Sequence, residues 1–150
     1  MNSSIDAIQK LMIRDLAKLE EEILAYKVES DLWLLNKAIS NTAGNLCLHL
    51  CGNIQHFFGH IIGKSDYIRQ RDDEFDLKNV PRIELLDFIQ KSVDSINASL
   101  ENFDETLWEE PFPQEVFGYP MTYGYFMIHL SGHLNYHLGQ INYHRRLLAE

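Results

Sequence analysis

The stretch that most restricts the fold is the last one, Thr122 to Glu150, which reads TYGYFMIHLSGHLNYHLGQINYHRRLLAE. It holds four of the chain's seven histidines: His129, His133, His137 and His144. On an α-helix, at about 100° per residue, His129, His133 and His137 fall at roughly 0°, 40° and 80°, with Gln140 at about 20° and His144 at about 60°. One face of one helix is thus lined with imidazoles. Histidines at i and i+4 lie about 6 Å apart along the axis on one face, so a pair of them can reach one metal ion.

Three further segments carry the same periodicity. The first runs from about Ser4, a candidate N-cap, to Tyr26, with Ile5, Ile8, Leu11, Met12, Leu16, Leu19 and Ile23 as its apolar stripe. The second starts at a Ser40 or Asn41 cap and reaches Ile62, with Gly63 as its stop, and holds His49, His56 and His60. The third opens at Pro81 and continues to about Asn102 through Ile83, Leu85, Leu86, Ile89, Val93, Ile96 and Leu100. Pro120 and Thr122 open the last. The intervening stretches read as a loop or short turn at 27–40, a charged connection at 64–80, and a long aromatic connection at 103–121. No strand alternation competes. Four long helices in one domain over 1–150 predict an all-α four-helix bundle, and the long connections allow crossovers.

Thirteen basic residues against twenty-two acidic ones leave a net charge of −9, which argues against nucleic acid or an anionic membrane surface as partner. No secretory signal and no apolar run of membrane-spanning length is visible, so the expected location is cytoplasmic. Cys47 and Cys51 are poorly placed for a disulfide, and a reduced, buried pair is expected.

With His49 set at 0°, His56 falls at about −20°, His60 at about 20° and Asn53 at about 40°, while Cys47 and Cys51 lie on the opposite face. The apparent Cys-x-His-x-Cys is therefore not a zinc motif, and both thiols read as core. Facing the two histidine stripes across a bundle builds a metal site, and three neutral imidazoles with an open fourth position suit a catalytic zinc-like ion, nickel or iron. His129 and His137 are about 12 Å apart along the axis, too far to share an ion. The last helix therefore offers His129 with His133 or His133 with His137, and the second offers His49 or His56. No Glu-x-x-His supports a ferritin-like di-iron centre, and no HExxH is present.

His133-Leu134-Asn135-Tyr136-His137-Leu138-Gly139-Gln140-Ile141 resembles the HxxxHxGQI signature of the DinB/YfiT-like four-helix bundles. Leu48-His49-Leu50-Cys51-Gly52-Asn53-Ile54-Gln55-His56-Phe57-Phe58-Gly59 resembles the LHLxGNxxxFxG helix-2 motif of a DinB-like subfamily of unknown function. Tyr67 to Phe75 resembles the RxRDxEF stretch of the same group. The resemblance implies a divalent metal held by His49, His133 and His137, a crossover helix order, and frequently a homodimer. It leaves His56, His60 and His129 as lining or outer positions. Characterised members of such a family include thiol S-transferases using low-molecular-weight thiols and a maleylpyruvate isomerase.

The expectation is therefore a metal-dependent, transferase-like enzyme acting on a small molecule, with a low-molecular-weight thiol as the class the resemblance implies, and with no catalytic residue assignable beyond the ligands. The alternative is a non-catalytic, metal-stabilised or stress-associated bundle. Asn53, His56, His129, Tyr136 and Gln140 are candidates to orient ligands or line the pocket. Arg69, Arg71, Asp72, Asp73 and Glu74 read as helix caps or mutual ion pairs. Gly52, Gly59, Gly132 and Gly139 read as points of close helix approach, and Phe112, Phe117, Tyr119 and Tyr123 as core or lid.

Overall fold

Apolar periodicity becomes helix in all four expected places in the computed structural model, which describes residues 3–36 and 38–149. Helix α1 is Ser3–Ala25 and buries Ile5, Ile8, Met12, Leu16, Leu19 and Ile23, whereas Leu11 stays exposed. Ser4 lies inside the first turn of α1, and the cap position before it falls outside the described residues. Helix α2 starts at Ala43, one or two residues later than a cap at Ser40 or Asn41 implied. Thr42 is the cap, its Oγ1 accepting from Asn45 N at 3.0 Å. This helix is α-helical over Ala43–Ile54 and continues without interruption as a π-helix over Gln55–Ile62.

The charged connection contains a short helix, α3 (Arg71–Asp76), and leads to α4 (Arg82–Glu101), with Pro81 at its cap. Helix α5 (Tyr123–Leu148) is capped by Thr122, whose side chain accepts from Tyr125 N. Glu150, the expected end of this segment, lies outside the described residues. Among the described residues there is no strand, only an isolated bridge between Pro111 and Thr122.

Helices α1 and α2 each pack against both α4 and α5, so each pair of consecutive long helices across 26–42 and 102–122 stands on a diagonal of the bundle. Side-chain bonds give the directions. Gln9 meets Asn97, and Arg82 meets the carbonyls of Leu24 and Tyr26, so α1 and α4 run antiparallel. Asp15 meets Asn135 and Glu22 meets Arg145, so α1 and α5 run parallel. The connections are therefore crossovers. The core fills the middle with Tyr26, Phe58, Phe126, Met12, Leu50 and Leu85. Cys47 and Cys51 are free thiols buried in that core, and their mutual hydrogen bond together with burial pushes the Cys47 thiol well up.

His144 belongs to this framework. Tyr26 Oη donates to its Nδ1 at 2.6 Å, and its Nε2 donates to the Leu34 carbonyl at 2.9 Å, tying α1, α5 and the first crossover together.

Candidate metal centre

α2 and α5 are neighbours, and their register brings His49, His133 and His137 together. One ligand nitrogen from each of the three lies within 4.8 Å of the others. His49 is only 8% exposed, while His133 and His137 are half-buried. His49 Nε2 and His133 Nε2 are 3.1 Å apart. Two nitrogens bound to one tetrahedral ion at 2.0–2.1 Å are separated by about 3.3 Å, so this edge already has the spacing of a shared ligand set.

The remote nitrogens decide which atoms are available. Glu74 Oε1 accepts from His49 Nδ1 at 3.0 Å, and Gln140 Oε1 accepts from His137 Nδ1 at 2.6 Å. A proton on each Nδ1 leaves both Nε2 atoms as bare lone pairs. His133 has no such partner, since its Nδ1 is buried without a hydrogen bond. If its proton sits on Nδ1, two lone pairs confront each other across 3.1 Å. If the proton sits on Nε2, Nδ1 is buried as an unsatisfied acceptor. A cation among the three nitrogens removes the lone-pair confrontation. Burial, with His137 and His49 alongside, drives His133 down to about 3, and burial also lowers His137. Both are neutral at ordinary pH, the form a metal requires.

Glu74 is the part of the site that helix-face reasoning missed. The histidine stripes carry no acid, but Glu74 arrives from α3 and is 5% exposed. Arg69 binds it through two bonds of 2.9 Å, so the carboxylate stays ionised, and its acidity is held below the usual range by His49 and Arg69 against the cost of burial. The expected mutual pairing within 69–74 holds for Arg69 and Glu74; the contact with His49 is the addition. Gly52 makes room for it, because a Cβ there would lie 2.0 Å from Glu74 Oε2. A glycine on α2 one turn from a histidine, with an acid in the RxRDxEF stretch, was the available signal.

The remaining candidates lie around this cluster. Asn53 is one turn from His49, and its Oδ1 is buried without a partner. His129 stacks on Phe126 and meets Phe117 edge-on, 6.2 Å from His133 between ring centres. Tyr136 is exposed with its ring centre 5.2 Å from that of His137. His56 packs on Phe57 and stacks on His60, whose Nδ1 donates to the Ser65 carbonyl. The π-helical turns from Gln55 onward advance less per residue than α-turns, so His60 leaves the face that an α-helical wheel gave it. Gly59 does meet α4 at Ser95, but a Cβ at Gly132 or Gly139 would touch nothing within 4 Å, so close packing does not account for those two. Phe112 is core, whereas Phe117 and Tyr119 are exposed, Phe117 against His129.

An all-helical bundle with crossover connections and three converging imidazoles defines a class of helical proteins able to hold a metal ion. The DinB superfamily model matches residues 5–141, and the chain belongs to that superfamily. No curated protein matches it. Among the described residues no helix is long and apolar enough to cross a membrane.

Proposed function

We propose that the protein is a metal-dependent enzyme, transferase-like in its reaction, that engages a small molecule such as a low-molecular-weight thiol at a divalent ion held by His49, His133 and His137. The observation that carries this reading is the hydrogen-bonding of the imidazoles. Glu74 and Gln140 occupy Nδ1 of two of them and leave Nε2 free, and one ligand nitrogen of each of the three lies within 4.8 Å of the others. Three neutral nitrogen donors favour zinc, nickel or iron over hard cations. Such an ion supplies Lewis acidity and lowers the pKa of a thiol or water bound to it. The chain's own residues hold the imidazoles: Glu74 with Arg69 fixes His49, and Gln140 fixes His137.

Elemental analysis of protein purified without a histidine tag, followed by a thiol-transfer screen with and without the metal found, tests this. The expected result is a stoichiometric divalent metal that is lost in His133→Ala, with transfer only in the loaded protein. Metal in neither protein overturns the reading. Metal that stabilises the bundle without any turnover supports the non-catalytic alternative.

The homodimer implied by the family resemblance has a surface on α5 to use, where Tyr125, Ile128, Tyr136, Tyr143 and Leu147 are all exposed on one face. Sedimentation equilibrium on the wild type and Ile128→Glu checks it, with dissociation of the variant as the expected outcome.

A further inference from the structure

Two arginines stand near His49, each across one intervening side chain, and they are differently engaged. Arg69 is spent on Glu74 through two hydrogen bonds, so its charge and the carboxylate's cancel beside the histidines. Arg71 is exposed, two residues on, at the start of α3. Its guanidinium lies 5.3 Å over the Phe75 ring, and the Phe75 ring centre is 4.9 Å from that of His49. One ring thus separates Arg71 from an imidazole of the cluster.

Among the described residues Arg14, Arg69, Arg82 and Arg145 each pair with a carboxylate. Arg71 pairs with none, although Asp72, Asp73 and Asp76 share its helix; Arg146 also pairs with none and lies over Tyr143, but among the described residues only the ring beneath Arg71 touches one of the three histidines. The planar fork of Arg71 is therefore held by an aromatic face while its donors remain open, an arrangement suited to binding a carboxylate, sulfonate or phosphate. A divalent ion held by the histidines would add positive charge one aromatic ring away from Arg71, in a chain whose net charge is −9.

We infer that Arg71 is an anion-binding residue that selects substrates carrying a metal-ligating group at one end and an anionic group at the other. This inference rests on the metal-dependent reading above and adds a substrate class to it. Phe75 sets the spacing between the two points of recognition, because it contacts both His49 and Arg71.

The test uses full-length protein loaded with cobalt(II) in place of the native metal, whose thiolate charge-transfer absorption reports ligand binding directly. Mercaptopropanesulfonate and mercaptopropanol are titrated in parallel, since they differ in the end remote from the sulfur. The wild type should prefer the sulfonate by about tenfold or more, the size of one charge-assisted hydrogen bond. Arg71→Ala should abolish that preference while leaving mercaptopropanol binding unchanged, and Arg71→Glu should invert it. Equal affinities in the wild type overturn the inference. So does a preference that survives in Arg71→Ala, or an equal loss for both thiols. A wild-type protein that takes up no cobalt overturns the metal reading itself, and this inference with it; a cobalt spectrum without thiolate selectivity overturns this inference alone.

Discussion

At the scale of single residues, the contact between Glu74 and His49 depends on an absence, the missing Cβ of Gly52. With that Cβ in place, Glu74 Oε2 would be 2.0 Å from carbon, so Gly52→Ala must move the carboxylate off the imidazole. Loss of an acid that orients a metal-binding histidine typically weakens metal affinity 10–100-fold. Gly52→Ala and Glu74→Gln should therefore both weaken metal binding by roughly that factor in chelator competition, and an unchanged affinity in both would remove Glu74 from the site. Gly52→Ala gains helix propensity, about 1 kcal/mol at most, so any stability loss it shows comes from the displaced acid. His133 gives a second prediction. The unfolded chain takes up its proton near pH 6.5, but burial and the neighbouring imidazoles delay uptake in the folded chain to about 3. Between those values the unfolded state binds more protons, so stability of the metal-free protein falls as pH drops from about 6.5 toward 3. Above that window His133 contributes nothing to the pH dependence. His129 and His137, also lowered by burial, add in the same direction. Urea midpoints measured against pH should fall less steeply in His133→Phe than in the wild type, and equal slopes would contradict the assignment.

At the scale of elements, the strap carrying Arg69, Arg71 and Glu74 is pinned to α2 from one end. Asn45, almost fully buried, donates through Nδ2 to the carbonyls of Glu74 at 3.0 Å and Leu77 at 2.8 Å, while its Oδ1 accepts from Lys78. Asn45→Ala removes both buried bonds and leaves two carbonyls without their donor, a loss of about 2–4 kcal/mol. Hydrogen exchange should show lost protection concentrated in 71–77, with α1 little changed. Uniform loss across the bundle would mean that the strap is not an independently held element. This strap also marks where the sequence ceased to be readable. The four long helices were legible because each repeats a buried stripe, and the facing of His49 with His133 and His137 followed from spacing plus the family motifs. Glu74 was not legible from periodicity, because it reaches His49 across the chain from a six-residue helix with no apolar stripe of its own. The caps were misplaced by one or two residues for a related reason. Ser40, Asn41 and Thr42 can all cap a helix, and the choice of Thr42 is made by its bond to Asn45, which the strap in turn fixes. The π-helical turn after Ile54 is likewise set by packing of α2 on α4, where Gly59 and Gly63 approach Ser95 and Ser99, and it moved His60 off its expected face.

At the scale of the whole molecule, the three imidazoles connect α2 with α5, and the strap adds α3 through Glu74 and His49. A ligand that binds this assembled set and not the unfolded chain must stabilise the fold as a unit. At a free metal concentration of about 100 times Kd the gain is about 2.7 kcal/mol, which for a chain of this size raises Tm by roughly 5–10 °C. Net charge complicates the experiment, because any divalent cation can relieve self-repulsion in a protein carrying −9. Magnesium separates the two effects. It screens as zinc or nickel does but seeks oxygen ligands and keeps its water shell, so three neutral imidazoles offer it little. Calorimetry of chelator-stripped protein should therefore show the rise with zinc or nickel and only a small salt-like change with magnesium. His133→Ala, which removes a ligand while preserving net charge at neutral pH, should lose the zinc or nickel increment and keep the magnesium one. Equal increments from all three ions, or an increment that survives in His133→Ala, would place the stabilisation on the acidic surface and not at the three histidines.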